Sequence, residues 1–211
     1  MSLKNVVVFV NAMRPITSEA LKQYHKSSGT KLEPVILVDS KIEKSIYQAN
    51  GQDAVEQSIQ RIVCDFDSEQ SVHEALSEFR DKILSVTAQY ENCIHELGLL
   101  AQYLPELNFP TQDALLASTE KHVMRNTMKE NAPEIIPQFE RIDATYKEDE
   151  LDSIAETFEF PLIVKPTGLN GSLLVSKVSD AEELKSAVAS TFTEINNMYG
   201  KWVKRHVPAL M

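Results

Sequence analysis

Continuous apolar runs alternate with amphipathic segments along the first half of the chain. Residues 6–10 are all apolar, which is typical of a parallel strand covered on both faces. Residues 34–39 form a second such run, and a helix is predicted over residues 17–26 between them, with Gly29 as its stop. This order of strand, helix and strand predicts a parallel pair in which residues 6–10 form the central strand.

The same alternation continues to about residue 105. Short strands are predicted at residues 61–65 and 83–86. Each is followed by an amphipathic helix, because apolar residues recur there at helical spacing: Val72, Ala75, Leu76 and Phe79 in the first, and Ile94, Leu97, Ala101 and Leu104 in the second. Residues 1–110 are therefore predicted to form an α/β domain with a doubly wound parallel sheet of about four strands.

A second unit is predicted from residue 111, because Pro110 resists continuation of a helix and Thr111 can cap a new one. Residues 111–211 are predicted to form a small α+β lobe. Its helices are placed at residues 112–117, 119–129 and 148–158 and from residue 179, where Ser179 and Glu182 have the spacing of a capping box. Its strands are placed at residues 135–142, 162–165 and 173–178, and the first is interpreted as an edge strand because of Pro133 and Pro137.

Charge and composition narrow the classes of partner. A net charge of −10 repels nucleic acid. No apolar run reaches the roughly 20 residues that a membrane helix needs, so no membrane insertion is expected. The first residues lack the pattern of a secretory signal, which predicts a cytoplasmic protein. Cys64 and Cys93 lack zinc or redox spacing and are expected to be buried thiols, and no metal site is predicted.

The strongest candidate for chemistry is the segment over residues 160–172. An apolar strand ends there at Lys165, and a turn with Gly168 and Gly171 follows at once. A buried strand holds a lysine as a fixed point charge, and glycines let main-chain N–H groups turn towards an anion. The segment therefore predicts a grip for nucleotide phosphates.

With these residues in place, the chain resembles the ATP-grasp superfamily, as the amino-terminal pre-ATP-grasp domain followed by the first lobe of the nucleotide-binding fold. The segment Thr119-Glu120-Lys121-His122-Val123-Met124-Arg125 is similar to the helix that carries the first nucleotide lysine, and Phe160-Pro161-Leu162-Ile163-Val164-Lys165-Pro166 to the strand that carries the second. The resemblance implies that Lys121 and Lys165 contact the α- and β-phosphates of ATP. It also implies that Gly168, Gly171 and Ser172 belong to the loop that closes over the β- and γ-phosphates.

Within the superfamily the motifs look most similar to carboxylate–amine ligases, which activate a carboxylate as an acyl phosphate with ATP and magnesium. Biotin carboxylase and carbamoyl phosphate synthetase relatives share the outline and remain an alternative. The partners implied are a small-molecule substrate and, left open, a second copy in a homodimer. Two further alternatives are a non-catalytic binding or assembly module and, ranked last, a regulatory domain with Asp39 or Asp65 as an acceptor.

Two features depart from the superfamily pattern. Relatives commonly have a basic residue and a glycine after Gly-Ser in the loop, whereas Leu173 and Leu174 follow Gly171-Ser172 here. The sequence also stops before the second lobe, which would hold the magnesium ligands and the catalytic arginine. We therefore expect an amino-terminal fragment of a longer ligase, or a degenerate relative, that is inactive by itself and whose catalytic residues are unknown.

Overall fold

The computed structural model describes residues 4–42, 59–169, 171–200 and 208–211. These residues fall into two compact units. The first unit contains residues 4–42 and 59–115, and the second contains residues 116–169, 171–200 and 208–211. Within the described ranges, no helix is both long and apolar enough to span a bilayer.

The first unit is built on a parallel sheet of four strands in the order β3-β2-β1-β4. The strands are β1 (Val6–Val10), β2 (Glu33–Asp39), β3 (Gln60–Cys64) and β4 (Ile83–Thr87). In this order β1 has a parallel neighbour on each side, pairing Val8 with Val35 of β2 and with Val86 of β4. The predicted α/β class, parallel sheet and central position of β1 are therefore confirmed.

Helices cover both faces of this sheet. They are α1 (Pro15–Ser28), α2 (Glu69–Leu76) and α3 (Ile94–Ala101). Side chains alternate along β1, so Val8 packs in a core with Val72 and Leu100, while Phe9 packs on the other face, where Leu21 of α1 lies. This two-sided burial explains why the strand is apolar at every position, since no residue of β1 faces water.

The helix α1 ends where the sequence predicts. Gly29 follows its last turn with φ of 72° and donates its N–H to the carbonyl of His25 at 2.9 Å. This left-handed cap is the conformation that glycine adopts at little steric cost.

Both cysteines are buried, as the sequence predicts. Burial, together with the nearby charges of Asp39 and Asp65, raises the pKa of Cys64 to about 12, which keeps its thiol protonated.

The second unit combines helices with short antiparallel pairings. The helix α4 (Gln112–Thr119) contains the boundary between the units, and the elements that follow are α5 (Lys121–Lys129), α6 (Glu148–Thr157), β5 (Leu162–Val164), β6 (Ser176–Val178) and α7 (Ala181–Gly200). Val164 and Val178 pack with the inner face of α7 in one core. The rings of Tyr146 and Phe192 stack in the same core with centroids 5.7 Å apart.

The last four residues take part in this fold as an extended segment. Met211 exchanges two main-chain hydrogen bonds with Lys165, at 2.9 and 2.8 Å. Leu210 exchanges two with Ile142, both at 2.9 Å, and its side chain is fully buried. The segment over residues 208–211 therefore joins Ile142 to the residue after β5 through main-chain hydrogen bonds.

Three predictions for this unit are corrected, two of them strands and the third a helix cap. The strand predicted at residues 135–142 is wrong, because Pro133–Ile135 is a 3₁₀ helix and only Ile142 forms a bridge. Proline lacks the N–H that a strand ladder requires. The strand predicted at residues 173–178 is shorter, since β6 begins at Ser176.

The capping box of α7 is displaced by one residue from the predicted pair. Asp180, not Ser179, accepts the N–H of Glu183 at 2.9 Å. The carboxylate of Glu183, not that of Glu182, returns to the N–H of Ser179 at 2.8 Å. Asp180 is the cap because its carboxylate lies one residue nearer the first turn of the helix. A carboxylate accepts a hydrogen bond there as well as a serine hydroxyl does.

Candidate functional site

The end of β5 presents Lys165 on the open face of the second unit. Val164 is buried, whereas Ile163 is 51% exposed, so the alternation of the strand puts Ile163 and Lys165 on the same exposed side. The main chain of Lys165 is fixed by its two hydrogen bonds to Met211. The lysine is thus a charge on a rigid support, as the sequence predicts.

The helix α5 places two further cations beside it. Lys121 and Arg125 are four residues apart and share one face of the helix. The pKa of Lys165 lies below its usual value, first because the side chain is partly buried and then because of the positive charges of Arg125 and Lys121. Three cationic groups therefore converge on one region of the second unit.

Sequence reasoning missed Arg125 as a site residue. A signal was present, because Arg125 follows Lys121 by one helical turn. Its guanidinium lies 5.5 Å from the centre of the Phe139 ring and 3.6 Å from the sulfur of Met211. Partial burial lowers the pKa of Arg125 as well. Within the part of the chain that the structure describes, neither Arg125 nor Lys165 forms an ion pair with an Asp or Glu side chain within 4.0 Å.

Lys121 is tied to the turn that follows β5. Its ammonium group donates to the carbonyls of Leu169 at 2.6 Å and Thr167 at 3.2 Å. Its main-chain N–H donates to the same carbonyl of Thr167 at 3.0 Å. Lys121 therefore holds the turn, and at most part of its donor capacity faces outwards.

The turn also packs against the residue before Lys121. Glu120 is 3% exposed, and a Cβ built on Gly168 would collide with its Oε1 atom. The ring nitrogen Nδ1 of His122 lies 3.5 Å from Oε2 of the same carboxylate. Burial and the nearby charge of Glu120 raise the pKa of Tyr199. Gly168 thus allows a close approach between the turn and a buried acid.

The remaining predicted residues lie further along the loop. Gly171 and Ser172 are exposed and have φ of 64° and 57°, and Leu174 has φ of 57°. A Cβ at Gly171 would meet nothing within 4 Å. Leu174 therefore has a left-handed conformation, which is uncommon for a residue with a large side chain. The phosphate roles of Lys121, Lys165, Gly168, Gly171 and Ser172 stay predictions.

An apolar cavity adjoins the cationic groups. Its volume is about 360 Å³, and Arg125 and Lys165 line it together with apolar side chains that include Phe139, Phe158, Ile163 and Met211. The described ranges contain no group of three or more His, Cys, Asp and Glu side chains placed to hold a metal ion. The cavity therefore combines two cationic groups with apolar walls and with two polar side chains, those of Gln138 and Glu140.

The loop after β1 in the first unit has a structural role. Asn11 is fully buried with φ of 63°, and its Oδ1 atom accepts the N–H of Asp39 at 2.9 Å. The side chain of Asp39 is itself fully buried, which disfavours its role as an exposed acceptor. Gln89 accepts hydrogen bonds from the N–H of Arg14 at 2.7 Å and the hydroxyl of Thr17 at 2.9 Å, joining the end of β4 to α1.

Comparison with known proteins supports the resemblance. No family model matches the chain. The carbamoyl phosphate synthase large chain of Bifidobacterium animalis subsp. lactis is 33% identical over 89 residues, which are 42% of this chain and 8% of that protein. The biotin carboxylase domain of Hydrogenobacter thermophilus 2-oxoglutarate carboxylase, a dimer in complex with MgADP, ADP and bicarbonate, matches with a TM-score of 0.60 at 13% identity over 100% of this chain and 44% of that one.

A second solved structure gives the same result. Campylobacter jejuni biotin carboxylase, in a β,γ-ATP complex, matches with a TM-score of 0.55 at 13% identity, over 99% of this chain and 45% of that chain. The chain thus spans less than half the length of each of these three proteins. The resemblance to ATP-grasp enzymes is confirmed as a likeness of fold.

Proposed function

We propose that this chain is the amino-terminal part of an ATP-grasp ligase. In this proposal residues 1–110 form the pre-ATP-grasp domain, and residues 111–211 form the first nucleotide lobe and lack the second. The lobe binds the phosphates of ATP through Lys165, Lys121 and Arg125. In this proposal it supplies one side of the active site.

The observation that carries the proposal is the convergence of Lys121, Arg125 and Lys165. Like charges held close together repel one another, and burial adds a desolvation cost, as the lowered pKa of Lys165 indicates. A protein that keeps such a cluster without a carboxylate at Arg125 or Lys165 gains a site for a polyanion. The phosphates of a nucleotide supply several negative oxygens on adjacent atoms and match that need.

The cavity beside the cluster supports a nucleotide rather than a simple phosphate. Ligand pockets are mostly apolar with a few polar groups that fix orientation. The cavity of about 360 Å³ has this character, because Arg125 and Lys165 stand among aromatic and aliphatic side chains. We assign the nucleobase to this cavity and the phosphates to the three cations.

The reaction proposed for the whole protein has two steps. A carboxylate oxygen attacks the γ-phosphorus of ATP, the bond to the β-phosphate oxygen breaks, and an acyl phosphate and ADP form. An amine nitrogen then attacks the acyl carbon, and phosphate leaves with the bonding electrons. Magnesium, when bound, would shield phosphate charge, and Lys165 and Arg125 would stabilise the charge that the departing ADP gains on its phosphates in the first step.

A second candidate is an enzyme like biotin carboxylase or carbamoyl phosphate synthase, in which bicarbonate takes the place of the carboxylate. Two matched structures with TM-scores above 0.5 are biotin carboxylases, and a sequence match is to a carbamoyl phosphate synthase. Bicarbonate-stimulated ATP hydrolysis by the protein at its natural length would favour this candidate. Stimulation by amino acids alone would favour the first.

The binding proposal is tested by an NMR titration of the 211-residue chain with ADP and, separately, with pyrophosphate. We expect ADP to shift the signals of Lys121, Arg125, Ile163 and Lys165, and pyrophosphate to shift those of the cations without that of Ile163. Replacing Lys165 by Met should weaken ADP binding about 10- to 100-fold, as expected for the loss of a charge-assisted hydrogen bond.

A matched control is Lys147→Met, which removes one exposed positive charge from the same unit. It should leave the ADP affinity within about twofold, since exposed charges at a distance are screened. The proposal is wrong if ADP at concentrations up to about 10 mM, the limit for very weak binding, leaves the four signals unmoved. Equal effects of Lys165→Met and Lys147→Met would also contradict it.

A further inference from the structure

Gly168 and Glu120 stand in direct steric contact within the second unit. The carboxylate of Glu120 is 3% exposed, and a Cβ at position 168 would lie 3.3 Å from its Cδ atom and closer still to Oε1. We propose that Glu120 is a positioning residue whose buried carboxylate fixes the turn between Lys165 and the glycine loop, and that this contact is what requires glycine at position 168. The link to nucleotide binding rests on the proposed function.

The backbone at Gly168 does not explain the glycine. Gly29 and Gly171 have positive φ, a conformation in which other residues are strained, but Gly168 does not. An alanine is therefore compatible with its backbone. The contact with Glu120 is what excludes a methyl group there.

The carboxylate acts together with the next residue. Lys121 donates its main-chain N–H to the carbonyl of Thr167 and its ammonium to the carbonyl of Leu169. Lys121 therefore bonds the turn to the start of α5 through the residues on both sides of Gly168. Glu120 limits how closely Gly168 itself can approach. Two successive residues at the start of α5 therefore set the position of the turn, Lys121 by hydrogen bonds and Glu120 by steric contact.

Burial of the carboxylate indicates a specific role for Glu120. A buried charged or polar group costs free energy that its partners must offset, and an apolar residue of similar size would avoid that cost. Nδ1 of His122 lies 3.5 Å from Oε2, so the other oxygen of the acid also faces a side chain of the second unit. A rigid carboxylate makes a better stop for the turn than a mobile exposed one.

A double-mutant cycle tests the contact directly. Gly168→Ala is expected to lower the folding equilibrium constant at least tenfold, because the methyl group displaces either the turn or the carboxylate. Glu120→Ala removes the obstructing atoms, so the variant Glu120→Ala with Gly168→Ala should lose at least tenfold less than the product of the two single effects. Glu120→Gln keeps the shape and should preserve the sensitivity to Gly168→Ala.

Gly171→Ala serves as the matched control. Gly171 has a positive φ, so an alanine there is strained, but its Cβ would have open space. The effects of Gly171→Ala and Glu120→Ala on the folding equilibrium constant should therefore multiply, without coupling. If Gly168→Ala also combines with Glu120→Ala without coupling, the inference is overturned. If Glu120→Ala does not fold, the comparison of Glu120→Gln with and without Gly168→Ala decides. Adding Gly168→Ala should accelerate amide exchange at Thr167, which donates to the carbonyl of Ala209, at least tenfold, and an unchanged rate contradicts the contact.

A readout on nucleotide separates the two proposals. Gly168→Ala should weaken ADP binding at least tenfold, and Glu120→Ala in the same chain should restore part of it. If the effects of Gly168→Ala and Glu120→Ala on stability are coupled but the wild-type chain does not bind ADP, the positioning role of Glu120 is supported and the proposed function is wrong. If the wild-type chain binds ADP but the two effects on stability are not coupled, the proposed function is supported and the positioning role of Glu120 is wrong.

Discussion

The ammonium group of Lys121 donates a hydrogen bond of 2.6 Å to the main-chain carbonyl of Leu169. These two residues are 48 positions apart in the chain, and their contact joins the start of α5 to the turn after β5. A side chain that the sequence marks as a phosphate ligand thus also organises the main chain of the loop.

Replacing Lys121 by Met should loosen the turn. Hydrogen bonds to charged groups contribute about 1.5–3 kcal/mol, and relief of repulsion at Lys165 offsets part of that loss, so a net loss of about 1–2 kcal/mol is expected. The amide of Thr167 in the same turn donates to the carbonyl of Ala209 at 2.9 Å, so its hydrogen exchange, followed by NMR, would detect faster opening. Lys129→Met, at the exposed last turn of the same helix, is the control and should change neither quantity.

Replacing Arg125 by Met should raise the pKa of Lys165. Burial and the charges of Arg125 and Lys121 hold that pKa below 10.5, and one of the two charges is then absent. NMR detection of the Lys165 side chain across alkaline pH measures the change. An unmoved pKa would contradict the convergence of the two groups, and Lys147→Met should leave it unaltered.

The same shift makes stability depend on pH. The folded state binds its Lys165 proton less tightly than the unfolded state, so the unfolded state holds more protons between the lowered pKa and 10.5. The contribution of Lys165 to stability is therefore unfavourable at neutral pH and improves as pH rises through that window. Lys165→Met should be more stable than wild type at pH 7, by less than about 1 kcal/mol for a partly exposed group, and the difference should shrink towards pH 10.5 in denaturant titrations.

Ser172→Gly should stabilise the loop of the second unit. Ser172 is exposed and has φ of 57°, so its side chain contributes strain without packing. Relief of that strain, less the added freedom of the unfolded chain, predicts a gain of about 0.5–1 kcal/mol in thermal or denaturant unfolding. Ser176→Gly, within β6, should instead lose a similar amount. A loss at both positions would argue against the left-handed conformation at Ser172.

Asn11→Ala should destabilise the first unit more than Asn11→Gly. Both lose the buried acceptor for the N–H of Asp39, which costs about 1–3 kcal/mol. Alanine is also strained at φ of 63°, so a further loss of about 0.5–1 kcal/mol is expected. Equal losses in urea unfolding would show that the backbone at Asn11 relaxes.

The helices and the parallel strands were predictable because their signals are local. Residues 6–10 are apolar at every position, and Gly29 follows a helical pattern, so burial and termination can be interpreted within a short window. The strand predicted at residues 135–142 failed because its apolar residues do not pair as a ladder. The pairing of Ile142 with Leu210 joins residues far apart in the chain, and no local pattern encodes it.

By itself, the sequence determined the α/β class, the central strand and the lysine at the end of β5, because periodicity and residue type suffice for each. Only the tertiary structure brought Arg125 to Lys165, set Glu120 against Gly168 and tied Lys121 to Leu169. Those relationships depend on the packing of α5 against the turn. Packing is a property of distances between segments remote in sequence, which residue patterns along the chain do not contain.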